Sequence, residues 1–350
     1  MAFYYILIAF TVFLLTGILT LAAIKLFPKF GLLDRPEKYG LTRKSIPYYG
    51  GLILFAVFLV SALLFLDFDR RLLGVVLAAA LMVAVSLWDD YRQVNPWIRL
   101  GVQVFSALLL LLFGVGISEI RNPFGGFLNL ETAQISLPFG LTLPLLGAIF
   151  TVFWVVLITN TLNFLDGLNG LASGVSAIGF TILFVLSVKP AFHVIDQSAF
   201  AVISLILAVS AFAFLLFEFA PAKILMGDTG SMFLGFMLAT MGIFSGGKIA
   251  TAFLVLGFPI LDAFWVILRR IFSGQSPLKG DLRHLHHRFL QAGFTERQTL
   301  LIIYLLCVIF GGIALFLETF EKIEALFALI ILMSVLGGLV IFQEKRMTKR

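Results

Sequence analysis

Long apolar runs broken by short polar stretches dominate this chain. A membrane-spanning helix needs about 20 mostly apolar residues. Eleven stretches meet that need: 3–27, 47–66, 72–88, 98–117, 142–163, 170–188, 198–217, 229–245, 249–268, 299–317 and 324–343. Several are short or carry Gly and Pro, so tilted, broken or abutting helices are expected. Between the fourth and fifth runs, the alternation in "FLNLETAQISL" predicts a small hairpin or a loop lying on the membrane surface. No fixed-period repeat and no low-complexity linker divides the chain, so one domain, 1–350, is expected.

Composition agrees with that pattern. The 350 residues are 61% hydrophobic and 13% charged, with mean hydropathy +1.07. Soluble domains sit near half apolar and a quarter charged. This is therefore the sequence of an integral membrane protein. The first run has no basic leader and no small-residue cleavage pattern, so it reads as an uncleaved span. The single cysteine, Cys307, excludes an internal disulfide. The net charge of +6 is read through topology and not as a nucleic-acid signal. Of the 25 basic residues, 19 fall on the side shared by the loop after the first span and the C-terminal tail. The positive-inside rule places that side in the cytoplasm and the N-terminus outside. The expected fold class is an all-α polytopic integral membrane protein of about 11 transmembrane helices. Its C-terminus is cytoplasmic and it carries a small extracytoplasmic β-hairpin.

The unusual polar clusters all lie on the basic side. They are "LWDDYRQVNPW" with Asp89 and Asp90; "NTLNFLDGLNGLASG" with Asn160, Asn163, Asp166 and Asn169; "AKILMGDTGSMFLG" with Asp228; Asp262 in "GFPILDAFWVILRR"; and "LKGDLRHLHHRF" with His284, His286, His287 and Arg288. Each alone has a structural reading: solvated carboxylates, a helix N-cap in "DTGS", a basic loop, a buried ion pair. Five on one face do not. Polar groups near a bilayer core are costly and mark sites. The outer histidine, His193, has no such company.

Carboxylates and amide oxygens without a cysteine cluster suit a hard cation. Mg²⁺ prefers one or two carboxylates plus substrate phosphates, and nearby Arg and His groups would hold phosphate oxygens. A helix starting near Thr229 would aim its N–H groups at an anion. Three imidazoles without cysteine make a poorer zinc site. Asn160, Asn163, Asp166 and Asn169 step by three, so on a straight helix they drift through about half a turn. The helix is therefore expected to end or bend near Gly167 and Gly170, which lets these groups converge.

In order and spacing, "WDD", "NxxNxxDGxNG", "MGDTGS", "PILDAFWVILRR" and "DLRHLHHRF" resemble the polyprenyl-phosphate N-acetylhexosamine-1-phosphate transferases. That group includes the WecA/TagO enzymes and, more distantly, the MraY translocases. "PYYGG" (Pro47 to Gly51) resembles the family's "PxxGG". "HLHHRF" resembles the WecA/TagO form of the histidine motif and so favours UDP-N-acetylglucosamine. The family's basic segment before "PxxGG" usually holds a histidine. Here it reads "EKYGLTRKSI", with Arg43 and Lys44 as stand-ins. Asn169 stands where many bacterial members carry an acid, which favours nucleotide contact there.

The resemblance implies transfer of N-acetylglucosamine 1-phosphate from UDP-GlcNAc to undecaprenyl phosphate at the inner face of the cytoplasmic membrane, releasing UMP. It implies Mg²⁺, with Mn²⁺ as the alternative ion, on Asn163 and Asp228. Asp89 and Asp90 would orient, or take a proton from, the lipid phosphate, and Asp166 would support the metal or the chemistry. Lys44, Asn160, Asn169, His284, His286, His287 and Arg288 would bind substrate. A homodimer is compatible with it. The runner-up readings are the same reaction on another UDP-sugar, such as UDP-MurNAc-pentapeptide, and a secondary transporter with broken helices.

Overall fold

The computed structural model describes residues 2–39, 43–122, 125–136, 142–189, 197–244, 249–274 and 284–347. His193, and Asp281 to Arg283 of the histidine motif, lie outside them. The described residues are mostly helical. The helices are α1 (Ala2–Leu26), α2 (Gly51–Phe65), α3 (Arg70–Tyr91), α4 (Pro96–Leu112), α5 (Leu145–Leu165), α6 (Leu171–Val188), α7 (Ser198–Glu218), α8 (Gly227–Phe244), α9 (Ile249–Val255), α10 (Gly257–Phe272), α11 (Leu285–Gln291), α12 (Glu296–Ala314) and α13 (Thr319–Met347). A helix or helix pair stands at each of the eleven apolar stretches. Seven are long and apolar enough to cross a membrane, or eight if α9 and α10, bent by 78° at their junction, count as one span. α2 and α4 are shorter apolar helices.

Helix starts follow local chemistry. Asp69 accepts the Leu72 N–H at 2.7 Å and Asn95 accepts the Trp97 N–H at 3.0 Å. Thr295 and Gln298 close a reciprocal capping box at α12. Each satisfies a donor that the first helical turn leaves without a partner.

The loop between α4 and α5 departs from expectation. It holds two two-stranded ribbons, not one hairpin. β1 (Glu119–Arg121) pairs antiparallel with β2 (Phe127–Asn129), and β3 (Gln134–Ser136) with β4 (Thr142–Pro144). The alternation across "FLNLETAQISL" is continuous in sequence. Its two halves nonetheless turn away from each other and pair with flanking segments.

α8 is the axis of the bundle. Gly227 and the run from Thr229 to Ile243 are buried, against α3 and α5 above all. Its entrance is joined to the "PYYGG" segment by main-chain hydrogen bonds: Leu225 N–H to Pro47 O, Gly50 N–H to Leu225 O and Gly51 N–H to Met226 O, each 2.9 Å. Glu218, the last residue of α7, is 1% exposed. It accepts the Met226 N–H at 3.0 Å and the Ser173 hydroxyl at 2.6 Å. The segment leading to Asp228 is thus held from both sides.

Candidate active site

The five polar clusters meet at one end of the bundle, where α3, α5, α7 and α10 end and α4, α6 and α8 begin. Asp89 and Asp90 are neighbours on α3 but sit about 100° apart around its axis, and they take different partners.

Asp90 faces α8. Its carboxylate accepts the Asp228 N–H at 2.9 Å, the Thr229 N–H at 3.0 Å, the Thr229 hydroxyl at 2.5 Å and the Tyr48 hydroxyl at 3.1 Å. Gly227 (φ +72°) lets it approach, since a Cβ there would stand 2.8 Å from Asp90 Oδ2. The anion expected at the start of α8 is therefore a side chain of the protein itself, favoured by the helix dipole and the unpaired first-turn donors. All four of these bonds tie Asp90 to the protein itself.

Asp89 faces the other way. It accepts the Val94 N–H at 2.7 Å and pairs with Arg99 Nη1, also at 2.7 Å. The same Nη1 lies 3.1 Å from Asp228 Oδ2, and Arg99 Nη2 donates to Asn163 Oδ1 at 3.0 Å. Asn163 Nδ2 in turn donates to Asp228 Oδ1 and to the Ser231 hydroxyl, both at 3.1 Å. Ser231 also hydrogen-bonds Asp166, whose carboxyl interacts electrostatically with Glu218, Asp228 and Asp90.

The donors in this cluster are hard oxygens, and the space between them already accommodates a guanidinium. Two carboxylates and an amide oxygen suit Mg²⁺, which completes its shell with water and substrate phosphates. Among the described residues no three His, Cys, Asp or Glu groups are arranged to hold a metal ion. The fit is to such a mixed shell and not to an all-protein cage.

The histidine segment joins this cluster through Gly167. A Cβ at that position would stand 2.6 Å from His286 Nε2 and 3.1 Å from His287 Nε2. His284 Nδ1 lies 3.0 Å from Asp262 Oδ2, and Asp262 Oδ1 accepts the Leu285 N–H at 2.8 Å. Asp262 thus orients His284 and caps α11. The His284 ring packs on Phe164 and stacks parallel to His286, with centroids 5.7 and 5.5 Å apart. His286 is fully buried, and among the described residues neither ring nitrogen has a hydrogen-bond partner. Burial, reinforced by His287 and His284, holds its pKa well below the ordinary value, so the ring is neutral. An unsatisfied buried polar group costs about 1–3 kcal/mol, which a bound water or ligand would relieve.

Other expected site residues are placed less directly. Asn160 pairs its amide with that of Gln103, at 3.2 and 2.6 Å, one turn or so deeper than Asn163. Asn169 is half-buried in the turn between α5 and α6, and Lys44 is exposed. Arg43 braces the first loop by pairing with Asp34 at 2.5 Å. Arg288 pairs with Glu344 at 3.3 Å. Arg99, Gln103 and Glu218 lie outside the motifs, whereas Ser231 closes "MGDTGS". Arg99 had one signal: a basic residue in the first turn of a helix opposes the dipole and calls for a nearby acid.

The family model for glycosyl transferase family 4 matches residues 72–246, a span holding Asp89, Arg99, Asn163, Asp166 and Asp228. The chain is also 31% identical to the probable undecaprenyl-phosphate N-acetylglucosaminyl 1-phosphate transferase of Bacillus subtilis, over 98% of this chain and 95% of that protein. The chain belongs to glycosyl transferase family 4. A second relative, the decaprenyl-phosphate N-acetylglucosaminephosphotransferase of Mycolicibacterium smegmatis, is 33% identical over 79% of this chain and 73% of that protein. A third, the undecaprenyl-phosphate alpha-N-acetylglucosaminyl 1-phosphate transferase of Yersinia pestis, is 27% identical over 97% and 92%. As a family 4 member the protein is a multi-span membrane enzyme of the phosphotransferase type.

Proposed function

We propose that this protein transfers N-acetylglucosamine 1-phosphate from UDP-GlcNAc to undecaprenyl phosphate, releasing UMP and starting a lipid-linked envelope glycan. The observation that carries the reading is the convergence of Asp89, Asp228 and Asn163 on one cation-holding point, with the histidine segment packed against the same turn. The names of the relatives support the substrate pair. The chain acts as one domain, 1–350, with eleven spans, its N-terminus outside and this end of the bundle facing the cytoplasm. The distribution of Lys and Arg supports that orientation.

The nucleophile is the lipid phosphate. Its second pKa is near 6, so it arrives largely as a dianion and needs little deprotonation. The work left to the protein is in-line positioning and charge balance. Asp228 and Asn163 are the residues that would hold Mg²⁺, which when bound neutralises diphosphate charge. Asp89 and Asp166 border the reacting phosphates. Asp90 positions Asp228 by anchoring α8. The neutral ring of His286 and the oriented ring of His284, with His287 and Arg288, form the wall that receives the sugar diphosphate, and Asn169 faces the nucleotide.

The test is UMP release by purified protein given UDP-GlcNAc, undecaprenyl phosphate and Mg²⁺. Release is expected, and EDTA is expected to stop it. No release would end the transferase reading. Offering UDP-MurNAc-pentapeptide in parallel decides the donor sugar.

A further inference from the structure

The Arg99 guanidinium occupies the point that a metal ion on Asp228 and Asn163 would need. We propose that Arg99 is the resident cation of this seat and that a divalent metal ion competes with it for the same oxygens. The inference rests on the metal reading above and adds a residue that the reading does not use.

The oxygens that a metal would use already face the guanidinium or its partner. Asn163 can coordinate only through Oδ1, and Oδ1 accepts from Arg99 at 3.0 Å. Asp228 Oδ1 accepts from Asn163 at 3.1 Å, and Asp228 Oδ2 is paired with Arg99 at 3.1 Å. A metal ion on these oxygens would stand against the guanidinium as a second cation, and the repulsion drives Arg99 out.

Burial explains why a resident cation is there. The Asp89 side chain is 7% exposed, and a buried carboxylate left without a partner is costly. The same numbers explain why it can leave. The Arg99 side chain is 24% exposed and that of Asp228 is 33% exposed, so solvent reaches the pair and weakens it. Arg99 also sits in the first turn of α4, where the helix dipole disfavours a cation. The surrounding oxygens hold it, with a long contact to Met232 Sδ at 4.0 Å.

Titrating detergent-purified full-length protein with Mn²⁺, and following the free-ion signal by electron paramagnetic resonance without substrates, tests this. Arg99→Met is expected to bind Mn²⁺ about tenfold more tightly than wild type or better. Arg99→Lys keeps the competing charge and is expected to stay within about threefold of wild type. Asp228→Ala added to Arg99→Met is expected to abolish the gain. Should Arg99→Met not fold, Arg99→Gln carries the same expectation, since it keeps amide hydrogens and loses the charge. Unchanged or weaker Mn²⁺ binding in the neutral variant overturns the proposal. No Mn²⁺ binding by any variant, with EDTA-sensitive UMP release in wild type, overturns it while the transferase reading stands. EDTA-insensitive release overturns it together with the metal reading.

Discussion

Thr229 gives both its backbone N–H and its hydroxyl to one oxygen of Asp90, at 3.0 and 2.5 Å. The start of α8 is thereby bound to the end of α3. Asp90→Ala removes this anchor, and with it the acceptor for the Asp228 N–H. Losing an anionic cap and its charge-assisted hydrogen bonds is expected to cost about 2–4 kcal/mol. Thermal unfolding in detergent should show the loss. An unchanged midpoint would return Asp90 to a purely chemical role.

Asp228→Ala should behave in the opposite way. Its side chain is partly exposed and its pairing with Arg99 is solvent-screened, so folding should change by about 1 kcal/mol or less. Turnover should disappear. Residual wild-type turnover would remove Asp228 from the metal seat.

Asp262 acts through His284. Asp262→Asn keeps the size but offers one acceptor oxygen where two are used, by His284 Nδ1 and the Leu285 N–H. UMP release is expected to fall by roughly 10- to 100-fold, as when the partner orienting a functional imidazole is removed. The discriminating measurement is kcat and KM for UDP-GlcNAc determined separately. A change in unfolding midpoint without any kinetic change would make Asp262 a cap and nothing more.

His286 is held neutral, with its pKa depressed by burial and by the adjacent rings. In the unfolded chain it would titrate near 6.5. Below that pH the unfolded state takes up a proton that the folded state resists. The stabilisation is therefore complete above about pH 6.5 and declines as pH falls from there toward the folded pKa. Unfolding midpoints from pH 7.5 to 5 should fall more steeply in wild type than in His286→Phe. Parallel curves would contradict this.

Glu218 carries two buried partners. Glu218→Ala leaves the Met226 N–H unsatisfied and the Ser173 hydroxyl with only the Gly170 carbonyl, at 3.2 Å, at an expected cost of about 1–3 kcal/mol. Glu218→Gln, with one acceptor oxygen kept, should cost less. Equal midpoints for the two variants would show that the carboxylate is dispensable.

Apolar run length located the helices because lipid demands it: a stretch that satisfies its own backbone in hydrocarbon is helical or barrel-forming. The clustering of Asp, Asn and His at one face was legible for the converse reason, since polar groups at that depth need a purpose. Pairing was not legible. Asp89 and Asp90 look equivalent in "WDD", yet one turns to Arg99 and the other to Thr229, and only the approach of α8 decides which. Arg99 read as one more basic loop residue, because its partners lie on three other helices. Asp262 stood out as a lone acid in an apolar run, but its histidine lies across a long connection. The ribbons misled in a different way: alternation reports strands, not which neighbour each strand will choose.

The three main-chain bonds between Pro47 to Gly51 and Leu225 to Met226 have a consequence for biosynthesis. The first partner leaves the ribosome long before the second. Until Leu225 and Met226 are made, Gly50 and Gly51 carry amide donors whose acceptors do not yet exist. Water must serve those donors until the entrance of α8 supplies its carbonyls. Completion of the catalytic end is thus tied to a late insertion event, and chains arrested before α8 hold the early motifs without the means to assemble them.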